Sequence, residues 1–182
     1  AQYSKPDATE FTIQIFINND ELPPGPTWRT ILSNTGVLSN TSINSTGGYF
    51  LRYGGDGGAG PYEYSFGFKT ENTNWVSASE DMSYGAWQNL TIVYNGSELV
   101  FYHDSVQVGS HSVSGSFDDY DGDMTLGLGA TIWGNRFFSG NIDEFRVWNV
   151  ALSQSQIQSY MTIPPIGNEP GLVGYWDFNE GE

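Results

Sequence analysis

Trp133-Gly134-Asn135-Arg136 brings an aromatic plane, an amide and a guanidinium together in one short stretch. That set suits recognition of a sugar ring, because the aromatic plane covers the apolar C–H face while the polar groups read the hydroxyls. Asp56, in the glycine-rich loop Gly54-Gly55-Asp56-Gly57-Gly58-Ala59-Gly60-Pro61, can join it, and Trp28 and Trp75 sit near turns where their rings can face a ligand. An ordinary amphipathic loop explains the same residues. The run Asp118-Asp119-Tyr120-Asp121-Gly122-Asp123 concentrates carboxylates at Asp119, Asp121 and Asp123, the hard oxygen ligands that Ca²⁺ takes. Its glycine is misplaced for a helix–loop–helix calcium loop and no bidentate Glu follows, so a solvated acidic turn accounts for it equally.

Covalent or acid–base catalysis asks for more than the sequence offers. Glu80-Asp81 and Asp143-Glu144 are isolated carboxylate pairs, and there is no Gly-x-Ser-x-Gly elbow, His-Glu-x-x-His helix or phosphate-binding loop. His103 and His111 flank a hairpin out of register, a poor arrangement for a shared metal. No enzyme activity is expected of this chain.

Six Lys and Arg against 21 Asp and Glu leave a net charge of −15 over 182 residues. Such a surface repels nucleic acid and anionic bilayers. Cysteine is absent, so disulfides, thiolate nucleophiles and Cys-bound zinc are excluded, and the length suffices for one domain with its own core. No run of 18 apolar residues is present, so no membrane-spanning helix is expected. The chain lacks an initiator Met and a signal peptide and reads as an excised piece of a longer exported protein.

The elements that must position these residues are short strands. Phe11-Thr12-Ile13-Gln14-Ile15-Phe16-Ile17 alternates, with Phe11, Ile13, Ile15 and Ile17 on one face. Further strands are predicted at Trp28–Leu32, Gly47–Tyr53, Tyr62–Lys69, Trp87–Tyr94, Glu98–His103, Val106–Ser110, Met124–Ala130 and Gly140–Asn149. Asn95-Gly96-Ser97 and Asp104-Ser105 are turns tight enough to make their flanking strands antiparallel neighbours. The alternation in Gly140–Asn149 is of mixed phase, so both faces should touch something. Ser153 and Gln156 form a capping box that starts a helix through about Tyr160, with Ile157, Tyr160 and Met161 on its apolar edge, and Pro164-Pro165 forbids its continuation. The pattern predicts an all-β fold, a two-sheet antiparallel β-sandwich or jelly roll with one short C-terminal helix.

Trp87-Gln88-Asn89-Leu90-Thr91-Ile92-Val93-Tyr94, the hairpin Leu99-Val100-Phe101-Tyr102-His103-Asp104, the strand Leu126-Gly127-Leu128-Gly129 and the segment Gly140 to Ser153 occur in the order of a laminin-G-like domain. The chain resembles that jelly roll, of the concanavalin A-like lectin/glucanase superfamily, over nearly its whole length. Ser105 stands where the family favours Gly, which implies a different turn type. The resemblance implies that Trp87, Trp148 and Trp176 pack in the core or on a sheet face. It also implies that Asp143 binds a structural Ca²⁺ with main-chain carbonyls, the turn at Gly47-Gly48 offering that of Gly48. The paired glutamates of the related glucanases, about 5 Å apart on one strand face, have no counterpart here. Residues 1–163 are expected to form the domain. Residues 164–182 are a linker plus Gly171–Gly181, similar to a family opening strand, which should pack back on the same sandwich.

The resulting expectation is a Ca²⁺-stabilised, non-catalytic module of a secreted or cell-surface multidomain protein. It binds a glycan or another cell-surface ligand and adjoins neighbouring domains of its polypeptide. The competing expectation is a spacer or protein-interaction repeat with no sugar site.

Overall fold

A computed structural model describes residues 9–20, 28–33, 49–54, 63–70, 73–81, 85–115, 125–126, 130–131, 134–135 and 137–179. The strands are β1 (Phe11–Asn19), β2 (Trp28–Ser33), β3 (Tyr49–Gly54), β4 (Glu63–Thr70), β5 (Thr73–Asp81), β6 (Gln88–Tyr94) and β7 (Glu98–His103). β8 (Val106–Ser112), β9 (Thr125–Leu126), β10 (Ala130–Thr131), β11 (Gly134–Asn135) and β12 (Gly140–Trp148) follow, then α1 (Gln154–Thr162) and β13 (Leu172–Trp176). One sheet runs β13-β12-β1-β6-β7-β8, a second runs β5-β4-β3-β2-β9, and β10 pairs with β11 alone. The expected all-β sandwich with one short helix is what forms.

Between the sheets lies a single apolar cluster. Phe11, Ile13, Ile15 and Ile17 of β1 meet Ile31 and Leu32 of β2, Tyr49, Leu51 and Tyr53 of β3, and Phe66 of β4. Each large apolar side chain enclosed this way contributes about 1.5–3 kcal/mol. The period of two in β1 therefore selects the inner face as expected. The first part of its other face is also enclosed, since Thr12 and Gln14 are fully buried while Phe16 and Asn18 are partly exposed.

β13 pairs antiparallel with β12, and Trp176 stacks on Phe145 with ring centroids 5.3 Å apart. Opposite β1, β12 carries a bulge: Gln14 faces Arg146 and Phe16 faces Asp143, so Glu144 and Phe145 together oppose Ile15. Glu144 takes φ 52°, the left-handed conformation that such a bulge demands and that usually falls to glycine. The bulge shifts the alternation by one, which is why Ile142 joins the same cluster as Phe145 and Val147. This is the physical source of the mixed phase in the sequence.

Three expectations are corrected. Met124–Ala130 is not one strand: β9 pairs with Leu32 and Ser33 of β2, whereas β10 turns back onto β11. β5 was not anticipated; its sequence TNWVSASED is too polar to signal a strand, yet it extends the second sheet beside β4 from Glu63↔Asp81 to Thr70↔Thr73. Ser105 does not change the turn. Asp104 and Ser105 have φ 48° and 66°, the two positive values of a type I′ hairpin.

Candidate functional site

The outer face of the six-stranded sheet is divided in two by the segment that follows β12. Ser153 caps α1 by accepting from the Gln156 N–H while the Gln156 side chain takes the Ser153 N–H, the reciprocal capping box. Ile157 is the buried residue of the helix, and it packs with Leu152, Trp148, Val93, Val100 and Tyr102 in a second, smaller apolar cluster. Tyr160 lies against Trp148 at 5.3 Å between ring centroids. The approach is fixed by hydrogen bonds from the sheet: Thr12 Oγ1 donates to the Val150 carbonyl at 2.8 Å and accepts from the Leu152 N–H at 3.0 Å. Gln154 Nε2 donates to the Ser105 carbonyl at 2.8 Å, tying the helix start to the β7–β8 turn.

At the limit of this cover sits a polar network. Arg146 is 1% exposed and donates from Nη1 to Gln14 Oε1 at 3.0 Å and to the Tyr160 carbonyl, and from Nη2 to the Glu144 carboxylate. Gln14 Nε2 donates in turn to Asn89 Oδ1 at 3.1 Å, which also accepts from Thr91 Oγ1 at 2.9 Å. Tyr175 on β13 donates its hydroxyl to both Glu144 oxygens at 2.9 and 3.0 Å. Desolvation first, then the hydrogen bond to Glu144 and its charge, push the Tyr175 hydroxyl up to about 12. A buried guanidinium whose two terminal nitrogens are held by a carboxylate, an amide and a carbonyl is a structural clamp, although its Nε has no hydrogen-bond partner.

On the inner face, at the end of the sandwich where β1 finishes, Tyr64 donates to Asn19 Oδ1 at 2.9 Å and lies 3.4 Å from Gln88 Oε1. Burial drives the Tyr64 hydroxyl well above the ordinary tyrosine range, opposed by the Gln88 hydrogen bond. Gln88 thus points inward, and Trp87 before it is 49% exposed. The expectation that Trp87 packs like Trp148 is therefore corrected. Phe137, at 48%, and Phe178, at 45%, are further exposed rings.

Of the other residues expected to bind ligand, the structure describes Trp28, Trp75 and Asn135. Trp28 opens β2 rather than lining a loop; it is 6% exposed, and the Arg52 guanidinium carbon lies 3.9 Å over its ring. That face is taken, so Trp28 is a packing residue. Trp75 is the third residue of β5, a strand and not a turn, and Asn135 ends β11, paired with Ala130. Trp133, Arg136, Asp56, Gly48, Asp119, Asp121 and Asp123 lie outside the described residues.

Asp143 falls on the outer face opposite Phe16. Its Oδ1 accepts the Glu144 N–H at 2.8 Å, and Arg146 bonds to Glu144 and not to it. A carboxylate with its second oxygen uncommitted fits the first ligand of a hard-cation site. Among the described residues no three His, Asp or Glu side chains converge on a metal position. No described helix is long and apolar enough to cross a membrane.

No curated protein matches the sequence. Solved structures do. A candidate carbohydrate-binding protein from Bacteroides ovatus superposes with a TM-score of 0.74 at 19% identity, covering 99% of this chain and 48% of that one. The chain thus spans about half the length of that protein. A heptameric pentraxin from Limulus polyphemus gives 0.62 at 17% identity, with 94% and 77% covered. The CBM40 of a Ruminococcus gnavus sialidase, solved with α2,3-sialyllactose, gives 0.63 at 12% identity, with 84% and 83% covered. At these identities the likeness is one of fold. A laminin-G-type family model matches residues 3–158, and with that match and the observed sandwich the chain belongs to the concanavalin A-like lectin/glucanase superfamily.

Proposed function

We propose that the chain is a non-catalytic carbohydrate-binding module of a secreted or cell-surface multidomain protein. The observation that carries this reading is the set of large aromatic rings, Trp87, Phe137 and Phe178, left about half exposed at the surface of an otherwise well-packed sandwich. Exposed planes on a rigid scaffold are what sugar C–H faces require, and loops and strand ends supply the amides that select hydroxyls. The presence of carbohydrate-binding modules among the structures of similar fold supports it further. The test is native affinity electrophoresis and a glycan array with the purified chain: retention by at least one polysaccharide is expected, and an array without signal, with Ca²⁺ present, sinks the reading.

Ca²⁺ stabilisation is part of the proposal. Asp143 would be the carboxylate ligand, joined by backbone carbonyls such as that of Gly48; the ion would neutralise local negative charge and brace the β12 bulge. A ligand that binds only the folded state raises the melting temperature by mass action. Adding Ca²⁺ after chelation should raise it in the wild type and not in Asp143→Ala; an equal rise in both removes Asp143 from the site.

A further inference from the structure

We infer that the uncovered half of the outer sheet face is a docking site for a neutral glycan, with Trp87 as its platform and Asn18 and Asn141 as its hydroxyl-reading groups. This rests on the carbohydrate-binding reading and gives it a place and a ligand class. β1 sends Thr12, Gln14, Phe16 and Asn18 to the outer face; the first two are sealed by residues 150–162, Asn89 opposite Phe16 is still fully buried, and exposure opens from Phe16 toward Asn18 and Asn141. Beyond it Phe16 stands opposite Asp143 and Asn18 opposite Asn141. The β1–β6 ladder ends at Ile17↔Gln88 and the Gly85 N–H then donates to the Asn19 carbonyl at 3.0 Å, so Ala86 and Trp87 together stand against Asn18, and Trp87, next to the inward Gln88, turns to the outer side. Asn141, Asn18 and Trp87 therefore form a row across three adjacent strands, spanning two strand spacings or about 10 Å, which matches two linked sugar rings.

The chemistry of the row selects the ligand. Trp87 is half exposed and Asn141 exposed, whereas the Asn18 amide oxygen is enclosed and has no hydrogen-bond partner. No hydrogen bond holds that oxygen back, so a turn of the Asn18 side chain can offer it to a ligand hydroxyl, relieving an unmet acceptor. Arg146, on the outer face two residues from Glu144, is buried and engaged by Glu144, Gln14 and the Tyr160 carbonyl, while Asp143 adds a negative charge to the next row. An acidic sugar would meet repulsion with no free cation among the described residues of the patch. Uncharged pyranose rings meet an aromatic plane and two amides.

The test uses affinity gels containing β-glucan, xylan, galactan or mannan, with polygalacturonate as the acidic control, run with EDTA, and tryptophan fluorescence titrations with the retained polymer. Trp87→Ala should weaken retention at least tenfold, Trp87→Phe should keep most of it, and Asn18→Ala should weaken it severalfold, all with wild-type melting curves. The fluorescence change on binding should vanish in Trp87→Phe. Wild-type retention that Trp87→Ala leaves unchanged puts the sugar elsewhere and overturns this site while the carbohydrate-binding reading stands. Retention by polygalacturonate alone, or only with Ca²⁺, overturns the neutral, cation-free mode. Retention by no polymer removes both.

Discussion

Glu144 occupies a backbone conformation that glycine would take more easily, and its replacement measures why glycine is not there. At φ 52° a side chain costs roughly 1–2 kcal/mol. Against this, Glu144 is the carboxylate partner of Arg146, whose side chain is 2% exposed, and itself keeps 24% exposure. Removing one partner of a buried pair costs about 3–5 kcal/mol; the partial exposure of Glu144 and the remaining acceptors on Gln14 and Tyr160 place this case near 2–3. Glu144→Gln keeps the strain and loses the charge, so it should lower stability by about 2–3 kcal/mol, or roughly 4–12 °C in melting temperature for a domain of this size. Glu144→Gly sheds the strain but also loses the Tyr175 acceptor and adds glycine's backbone entropy, so it should fall by a similar amount. With Arg146→Met as background the order reverses: no cation needs compensation, and Glu144→Gly becomes neutral or about 1 kcal/mol stabilising. Urea unfolding of the wild type, the three single variants and the Arg146→Met/Glu144→Gly double variant decides the matter. If Glu144→Gly is neutral or stabilising with Arg146 intact, the carboxylate is not held there for the guanidinium and the clamp reading fails.

Three further outcomes are expected. Ser153→Ala should cost about 1 kcal/mol by deleting the cap, and should redden tryptophan fluorescence as Trp148 loses its cover; unchanged melting and emission would mean the helix is held by Ile157 alone. Gly140→Ala should cost about 3 kcal/mol or more, because φ is 146° and the added Cβ would stand 2.2 Å from the Asn18 carbonyl oxygen, a backbone atom that cannot step aside; a variant melting within 2 °C of wild type, roughly 1 kcal/mol or less, would refute the close approach. In alkali the sign follows from tyrosines that fold with a raised pKa. Their contribution is complete below the unfolded value of about 10 and is lost as pH rises toward about 12 for Tyr175. Melting temperature should therefore fall across that window, less steeply in Tyr175→Phe, and identical slopes in the two proteins would show that Tyr175 ionises without feeling the fold.

Local alternation made β1, β6, β7 and β12 readable, and the Ser153/Gln156 pair made α1 readable, because these signals need no knowledge of what lies opposite. β5 escaped because TNWVSASED carries little apolar alternation, so its strand identity comes from the β4 backbone beside it. The phase slip in β12 was visible, but its cause was not: two residues opposing Ile15 is a property of two strands, and only the partner locates the extra one at Glu144. Trp28 and Trp87 exchanged roles for the same kind of reason. A ring at the head of β2 is covered by Arg52 from β3, and a ring at the head of β6 is left bare.

Gln14 and Asn18 show where the limit falls. Both are amides on the same outer face of β1, four residues apart, and nothing in Phe11–Asn19 separates their fates. Gln14 is held from both sides, by Arg146 of β12 and Asn89 of β6, beneath a segment from more than 130 positions later in the chain. Asn18 lies beyond the reach of that segment, with an acceptor unmet. The direction of a side chain is written locally, but whether it meets a lid or a ligand depends on where residues 150–162 stop. A binding surface of this type is thus defined by the extent of its cover, and lengthening or shortening that cover would alter it without changing any residue in the row Asn141–Asn18–Trp87.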